Sequence, residues 1–466
     1  MPTKYRVQNP KTNEIVESFD FITDDELEQA LSTANDTFKG WREKIFDESA
    51  EVLRKVASLF DEKRSELCNI IAEEMGKSVF EGDGEVDDVV DIFNYYADNG
   101  AEFGADEEIP NNQGGTSIIR KVPLGIIVGI MPWNFPYYQV ARFAAPALMA
   151  GNVVMVKHAE ICPRSAAAIE KIFDEAGAPK GLYTNVYAQH SQISTMIEDD
   201  RVQGVSLTGS ETAGRAIASQ AGQALKKCVL ELGGTDAYLV LDSSDVNAAA
   251  ETAWQKRVGN VGQACTANKR MIVMEDLYDD FVDELVQRSS AMQPGDPTSR
   301  DADVYGPLSS ESAADGLAEQ IAAAKEAGAT VHVGGERVSG PEGEGFYVSP
   351  AVITDVDQEN PAYTQELFGM ASVVYKVSSA EEAVALANDS QYGLGGAVFS
   401  TDLDEAKRVA GQLEVGMANV NLASAAGANL PFGGVKRSGF GRELGPMAVD
   451  EFANKRLYAV QGPLEG

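Results

Sequence analysis

Cys265 is the side chain of this sequence best suited to covalent chemistry. It stands in Gly262-Gln263-Ala264-Cys265-Thr266-Ala267-Asn268-Lys269-Arg270, between a helix-like run (Asp245 to Val258) and an apolar, strand-like run (Met271 to Met274). That setting predicts a thiol on a helix-to-strand loop, open to solvent and substrate. Lys269 and Arg270 lie close by in sequence, and nearby positive charge favours the thiolate, the nucleophilic form. The other reading is a small buried hydrophobe, the commoner fate of a lone cysteine. Cys68, Cys162 and Cys228 lack the glycine-rich setting, and Cys228 reads as core.

A carboxylate and an amide could complete such a site. Glu231 ends the apolar run Cys228-Val229-Leu230 and precedes Leu232-Gly233-Gly234. Apolar surroundings raise a carboxyl's pKa and suit it to general-base work; a strand-end glutamate facing water is the alternative. Asn134, between Trp133 and Phe135-Pro136, could donate its amide to a developing oxyanion or merely satisfy its own turn. Thr208-Gly209-Ser210, at a strand-to-helix junction, could offer backbone N–H groups and a hydroxyl to a phosphate or act as an ordinary helix cap. Lys157 and Glu160 at another strand end could hold ribose hydroxyls, or form a surface ion pair worth less than about 1 kcal/mol. No G-x-G-x-x-G follows a strand, so any dinucleotide site departs from the usual fingerprint.

These residues need a scaffold, and the chain supplies the signs of one. Its 466 residues, 44% apolar, predict two or three domains with sizeable cores. Thr23-Asp24-Asp25-Glu26 is a capping box opening a helix to about Lys39, and longer helices are expected over roughly 47–75 and 84–100. Turn residues 111–115 precede a strand from Thr116 to Val122, one arm of a projecting hairpin. From residue 125 short apolar runs alternate with helical stretches, which predicts doubly wound parallel sheets with ligands at the carboxyl ends of the strands. A last strand, Leu457 to Val460, closes the chain.

Composition narrows the function. A net charge of −34, spread along the chain, argues against nucleic acid and anionic membranes as partners. It agrees with a surface adapted to concentrated salt, where screening removes most self-repulsion. Four cysteines without CxxC spacing and three dispersed histidines give no disulfide framework and no metal site. There is no G-x-S-x-G elbow, no apolar signal core at Met1 to Arg6 and no run of membrane-span length. A soluble, cytoplasmic protein is expected.

In order along the chain, PWNFP (Pro132 to Pro136), KHAE (Lys157 to Glu160), TGS (Thr208 to Ser210), ELGG (Glu231 to Gly234), GQAC (Gly262 to Cys265), ELFG (Glu366 to Gly369) and PFGGVKRSGFGRELG (Pro431 to Gly445) resemble the aldehyde dehydrogenase superfamily. The resemblance runs almost the whole length, and within the superfamily it is strongest to succinate-semialdehyde dehydrogenases. It implies an aldehyde dehydrogenase-like α/β fold: a cofactor-binding domain (1–107 and 125–230), a catalytic domain (231–430) and a small β oligomerisation element (108–124 and 431–466) giving a homodimer or homotetramer. It implies Cys265 as nucleophile, Asn134 with the Cys265 N–H as oxyanion hole, and Glu231 as the base for the hydrolytic water. The cofactor would be NAD, with NADP as the alternative. Ile130, Met131, Pro132 and Trp133 would contact it through their backbone, beside Lys157, His158, Ala159 and Glu160. Thr208, Gly209, Ser210, Leu232, Gly233, Glu366 and Phe368 would complete its site. Arg142, eight positions after Asn134, and Arg270, five after Cys265, match arginines that bind a substrate carboxylate. Other small aldehydes, or an inactive structural member, are the alternatives. Thr235 after ELGG and Ala188 to Gln192 depart from the family pattern, the latter on the cofactor side.

Overall fold

The computed structural model describes residues 4–44, 46–112, 114–299 and 304–461. The expectations placed on Met1 to Thr3, on Gln113 and on the chain beyond Gln461 lie outside them. The N-terminal stretch forms a hairpin, Tyr5–Gln8 against Ile15–Phe19, followed by the capped helix Asp24–Trp41, in which the Thr23 hydroxyl accepts from Glu26 N–H. The stretch expected as one helix over 47–75 is two, Phe46–Glu62 and Arg64–Met75. Lys63 breaks them by leaving helical geometry (φ −96°, ψ 8°). The next helix, Val79–Phe103, begins earlier than its apolar spacing suggests because the Ser78 hydroxyl caps it.

Two large sheets follow. The first has the order Gly439–Phe440, Lys227–Glu231, Val202–Thr208, Ile126–Ile130, Val153–Lys157, Tyr183–Asn185, and is parallel except for its first, antiparallel strand. The second has the order Thr330–Val333, Ala351–Thr354, Ala371–Val377, Arg270–Met274, Ala237–Val240, Gly395–Phe399, Met417–Val420, antiparallel only at Thr330–Val333. The strands are near-continuous apolar runs because helices cover both faces. A third sheet pairs Glu107–Ile109 with Thr116–Pro123 and Thr116–Pro123 with Ala453–Val460. From the stretch after residue 430 this arm takes only Ala453–Val460, since Val435–Lys436 pairs with Tyr392–Gly393 and Gly439–Phe440 joins the first sheet.

The sequence places ligands at strand carboxyl ends, and the first sheet conforms. The second presents its amino ends instead. The chain leaves the first sheet at Glu231 and enters the second at Ala237, so a short link joins the carboxyl end of one strand to the amino end of the other. Cys265 and Glu366 therefore stand just before the strands Arg270–Met274 and Ala371–Val377.

Candidate active site

The cysteine loop begins on constrained backbone. Helix Val246–Val258 gives way to a short turn, Gly259–Gly262, in which Asn260 (φ 52°) and Val261 (φ 57°) are left-handed. A side chain at Gly262 (φ +75°) would collide with the Gly369 backbone, so the loop is pressed against the Glu366-to-Gly369 segment. Arg257, fully buried, fastens the two together: its guanidinium donates to Leu367 O and Ala371 O (both 2.7 Å), to Gly262 O (3.4 Å) and to Gly369 O. Burial pulls its pKa down to about 9, with backbone carbonyls rather than a carboxylate as partners.

Lys269 ties the same loop to the ELFG segment. Its ammonium donates to Ala264 O (3.0 Å) and Cys265 O (2.8 Å) and lies 2.9 Å from Glu366 Oε1. Glu366 also accepts from Gly234 N–H (3.1 Å), and its other carboxylate oxygen occupies the space a Cβ would need at Gly233. Cys265 is partly exposed on a cavity wall, but the surrounding protein desolvates its sulfur. Burial pushes the thiol up to about 11, against the pull of Arg142 and Lys269. The positive charge foreseen from the sequence is present; desolvation outweighs it here.

Asn134 reaches the cysteine loop from the first sheet. The turn carrying it is clamped by Glu85, whose carboxylate accepts from the N–H groups of Tyr137 (2.8 Å) and Tyr138 (3.1 Å) and caps helix Tyr138–Met149. Lys77, buried and paired with Glu85, lies 3.6 Å from the Phe135 ring centroid. The Asn134 amide donates to Gln263 O (3.0 Å), leaving its second N–H free of that bond.

Glu231 is 2% exposed, and neither carboxylate oxygen has a hydrogen-bond partner among the described residues. Burial, then the Glu443 carboxylate, raise its pKa well above the usual carboxylate range, against Arg142 and Arg442. Arg142 is 1% exposed, its guanidinium 4.1 Å from the Phe432 ring and 5.2 Å from Tyr138. Its Nε is 2.6 Å from Glu443 Oε2 in a contact too bent for a hydrogen bond, and Nη2 has no partner among the described residues. Arg142 is also the strongest favourable charge acting on the Cys265 sulfur.

A cavity of about 230 Å³ opens on the sulfur. It is lined by Cys265, Asn134 and Gln139, by Pro132, Trp133, Leu232, Gly233, Glu366 and Phe368, and by Thr208, Gly209 and Ser210. Trp133 and Phe368 meet edge to face at 5.8 Å. Ser210 caps helix Glu211–Gln223 through Ala213 N–H, so it is both a cap and a cavity residue. One strand over, in register with Ile130, Lys157 pairs with the Glu160 carboxylate. Burial raises the Glu160 pKa, but Lys157 prevails and holds it below the ordinary value. The apolar walls, the helix N-terminus and the carboxylates of Glu160 and Glu366 fit a dinucleotide with two ribose diols.

A model of the aldehyde dehydrogenase family matches residues 2–457. The chain belongs to the aldehyde dehydrogenase family. The NADP-dependent succinate-semialdehyde dehydrogenase of Deinococcus radiodurans is 49% identical over 449 residues, 96% of this chain and 93% of that protein. An NADP-dependent succinate-semialdehyde dehydrogenase of Mycobacterium tuberculosis is 39% identical, covering 96% of this chain and 97% of its own. Among solved structures, succinic semialdehyde dehydrogenase from Streptococcus pyogenes with NADP+ matches at a TM-score of 0.95 and 40% identity, covering 98% of this chain and all of that one. Betaine aldehyde dehydrogenase from Staphylococcus aureus with NAD+ matches at 0.93 and 30%, covering 98% and 91%. The chain is an enzyme oxidising aldehydes with NAD(P).

In this aldehyde dehydrogenase two of the named side chains are engaged within the protein. The Arg270 guanidinium donates to Thr235 O (3.1 Å), Leu386 O (2.9 Å) and Ala387 O (2.7 Å) and is not among the residues lining the cavity at Cys265. The His158 ring is structural, with Nε2 2.9 Å from Pro136 O and Nδ1 accepting from Ala159 N–H, so it props the Asn134 turn. Met131 and Ala159 are buried, which leaves a ligand only their backbone. Arg257, Asn260, Gln139 and Glu443 went unnoticed; Glu443 alone had a signal, inside the quoted glycine-rich loop.

Proposed function

We propose that this aldehyde dehydrogenase oxidises a carboxylate-bearing semialdehyde, succinate semialdehyde above all, to the acid. The observation that carries the reading is the unpartnered Nη2 of buried Arg142, close enough for its charge to act on the Cys265 sulfur. A buried donor left unmatched is costly, and a substrate carboxylate would match it. The names of the relatives support the same choice. Cys265 is the nucleophile: its thiol loses its proton to solvent, an S–C bond forms to the carbonyl carbon as the C=O π bond opens, and Asn134 and the Cys265 N–H receive the oxyanion. Glu366 and the cavity walls would hold the nicotinamide end of a bound dinucleotide, whose chemistry would be to accept the hydride. The resulting thioester is cleaved by water, whose proton goes to Glu231, releasing the acid and the thiol. Residues 1–107 with 125–230 bind the dinucleotide, 231–430 carry the chemistry, and the arm, with Leu457 62% and Val460 49% exposed, joins subunits into a dimer or tetramer. The acidic surface suits cytoplasm rich in salt.

A panel of succinate, glutarate and 2-oxoglutarate semialdehydes, glycolaldehyde and betaine aldehyde, assayed with NAD and NADP in high salt, tests this. Arg142→Met should lower kcat/KM for succinate semialdehyde about 10- to 150-fold more than for neutral aldehydes, the worth of a hydrogen bond to a charged group, the loss common to both reporting the charge withdrawn from the Cys265 sulfur. Equal losses on both would remove the carboxylate from the reading.

For the dinucleotide we propose a preference for NAD. The Glu160 carboxylate, kept ionised by Lys157, accepts from ribose hydroxyls and repels a 2′-phosphate. The Lys157 ammonium paired with Glu160, and His190 Nε2 at 3.7 Å from Glu160 Oε1, are the nearby groups that can temper this repulsion. Glu160→Gln should shift the ratio of NADPH to NADH affinity at least about tenfold toward NADPH, read by reduced-dinucleotide fluorescence; each tenfold is about 1.4 kcal/mol. An unchanged ratio would show that the 2′ position lies elsewhere.

A further inference from the structure

Asn260 precedes Cys265 by five residues, and no step of the proposed mechanism uses it. Its left-handed backbone, followed by a left-handed valine, is unfavourable, so the surroundings must hold it. They do so through every polar group but one. Asn260 N–H donates to the Glu81 carboxylate, itself fixed by the Ser78 hydroxyl (2.8 Å). Its carbonyl accepts from Gln263 N–H (3.0 Å) and Gln263 Nε2 (3.2 Å). Its side-chain amide donates to Asn134 O (2.8 Å) and to Gln263 O (3.2 Å), while Oδ1 is buried without a partner. Asn134 Nδ2 donates to that same Gln263 carbonyl.

The two groups assigned to the oxyanion come from opposite sheets, one on the Asn134 turn and one on the cysteine loop. Their relative placement must be held to a fraction of an ångström for an oxyanion to meet both. The Asn260 amide bridges the two backbones, and its bond to Gln263 O orients the acceptor that holds the Asn134 amide. We propose that Asn260 is a positioning residue for the oxyanion hole, its carboxamide setting the Asn134 amide against the Cys265 N–H. This rests on the proposed roles of Asn134 and Cys265. The competing account is that asparagine is present only because it tolerates left-handed φ.

Asn260→Gly separates the two, since glycine takes left-handed φ freely and removes only the amide. The variant should lose about 10- to 100-fold in kcat for aldehyde oxidation, with KM within about threefold. Acylation by 4-nitrophenyl acetate without dinucleotide, which also passes through an oxyanion, should fall by the same factor. Alkylation of Cys265 by iodoacetamide develops no oxyanion and should stay within about threefold of wild type, as should the Kd for NADH. Asn260→Asp, isosteric but without the donors, should show the same pattern. Wild-type acylation in Asn260→Gly, or parallel loss of acylation, alkylation and dinucleotide binding in both variants, overturns the proposal. Asn134→Ala distinguishes the levels: if it leaves acylation intact, the oxyanion role itself fails; if it abolishes acylation while Asn260→Gly does not, only the positioning role fails.

Discussion

Cys265→Ala should lower aldehyde oxidation by about 10⁴-fold or more, the scale on which removal of a covalent nucleophile registers, and leave NADH binding within about threefold. The binding half follows from the geometry. Lys269 holds the loop through the carbonyls of Ala264 and Cys265, and Glu366 is moored on Gly234 N–H and Lys269, so none of these bonds uses the sulfur. The wild-type thiol adds a pH signature. With burial pushing it up to about 11, the thiolate fraction of the free enzyme grows about tenfold per pH unit through neutrality. Iodoacetamide should therefore alkylate Cys265 about tenfold faster with each unit from pH 7 to 10. Oxidation persisting in Cys265→Ala would transfer the chemistry to another residue; a flat alkylation profile would mean that the sulfur is already ionised in the free enzyme.

What the sequence disclosed and what it withheld have different physical origins. The first sheet was legible because Ile126–Ile130 and Val153–Lys157 are short apolar runs ended by turn residues, and the capping box at Thr23 marks a helix start by itself. The cysteine loop was legible because glycines and polar residues separate a helical period from a strand. The break at Lys63 was not, since it is one residue with altered dihedrals inside a continuous apolar period. The reversed polarity of the second sheet shows only once the strands are located, with Cys265 and Glu366 standing before Arg270–Met274 and Ala371–Val377. Arg142 and Arg270 look alike in sequence. The structure separates them by partners: every guanidinium nitrogen of Arg270 donates to a backbone carbonyl, whereas Arg142 has one bent ion pair and an Nη2 without a partner among the described residues. Asn260 and Arg257 work through backbone carbonyls of distant segments, and such acceptors leave no mark in a sequence.

Glu231→Gln should leave the chemistry up to the thioester nearly intact and slow its hydrolysis about 10²- to 10³-fold, the range of a general base. Mixing the variant with NAD and substrate should then give a burst of about one NADH per site followed by a slow steady state. Hydroxylamine, which attacks a thioester without help from a base, should restore turnover. The pH dependence has a definite sign. Burial and Glu443 hold the Glu231 pKa well above its ordinary value, so the group is largely protonated below that pKa and deacylation rises with pH until Glu231 ionises. Glu443→Gln removes the like charge, which lowers the Glu231 pKa, so the rising limb of deacylation should move to lower pH. In Glu231→Gln that limb should vanish. A Glu231→Gln enzyme that shows no burst, with oxidation and hydrolysis slowed alike, would place the glutamate before hydride loss, as the group that takes the proton from the buried thiol.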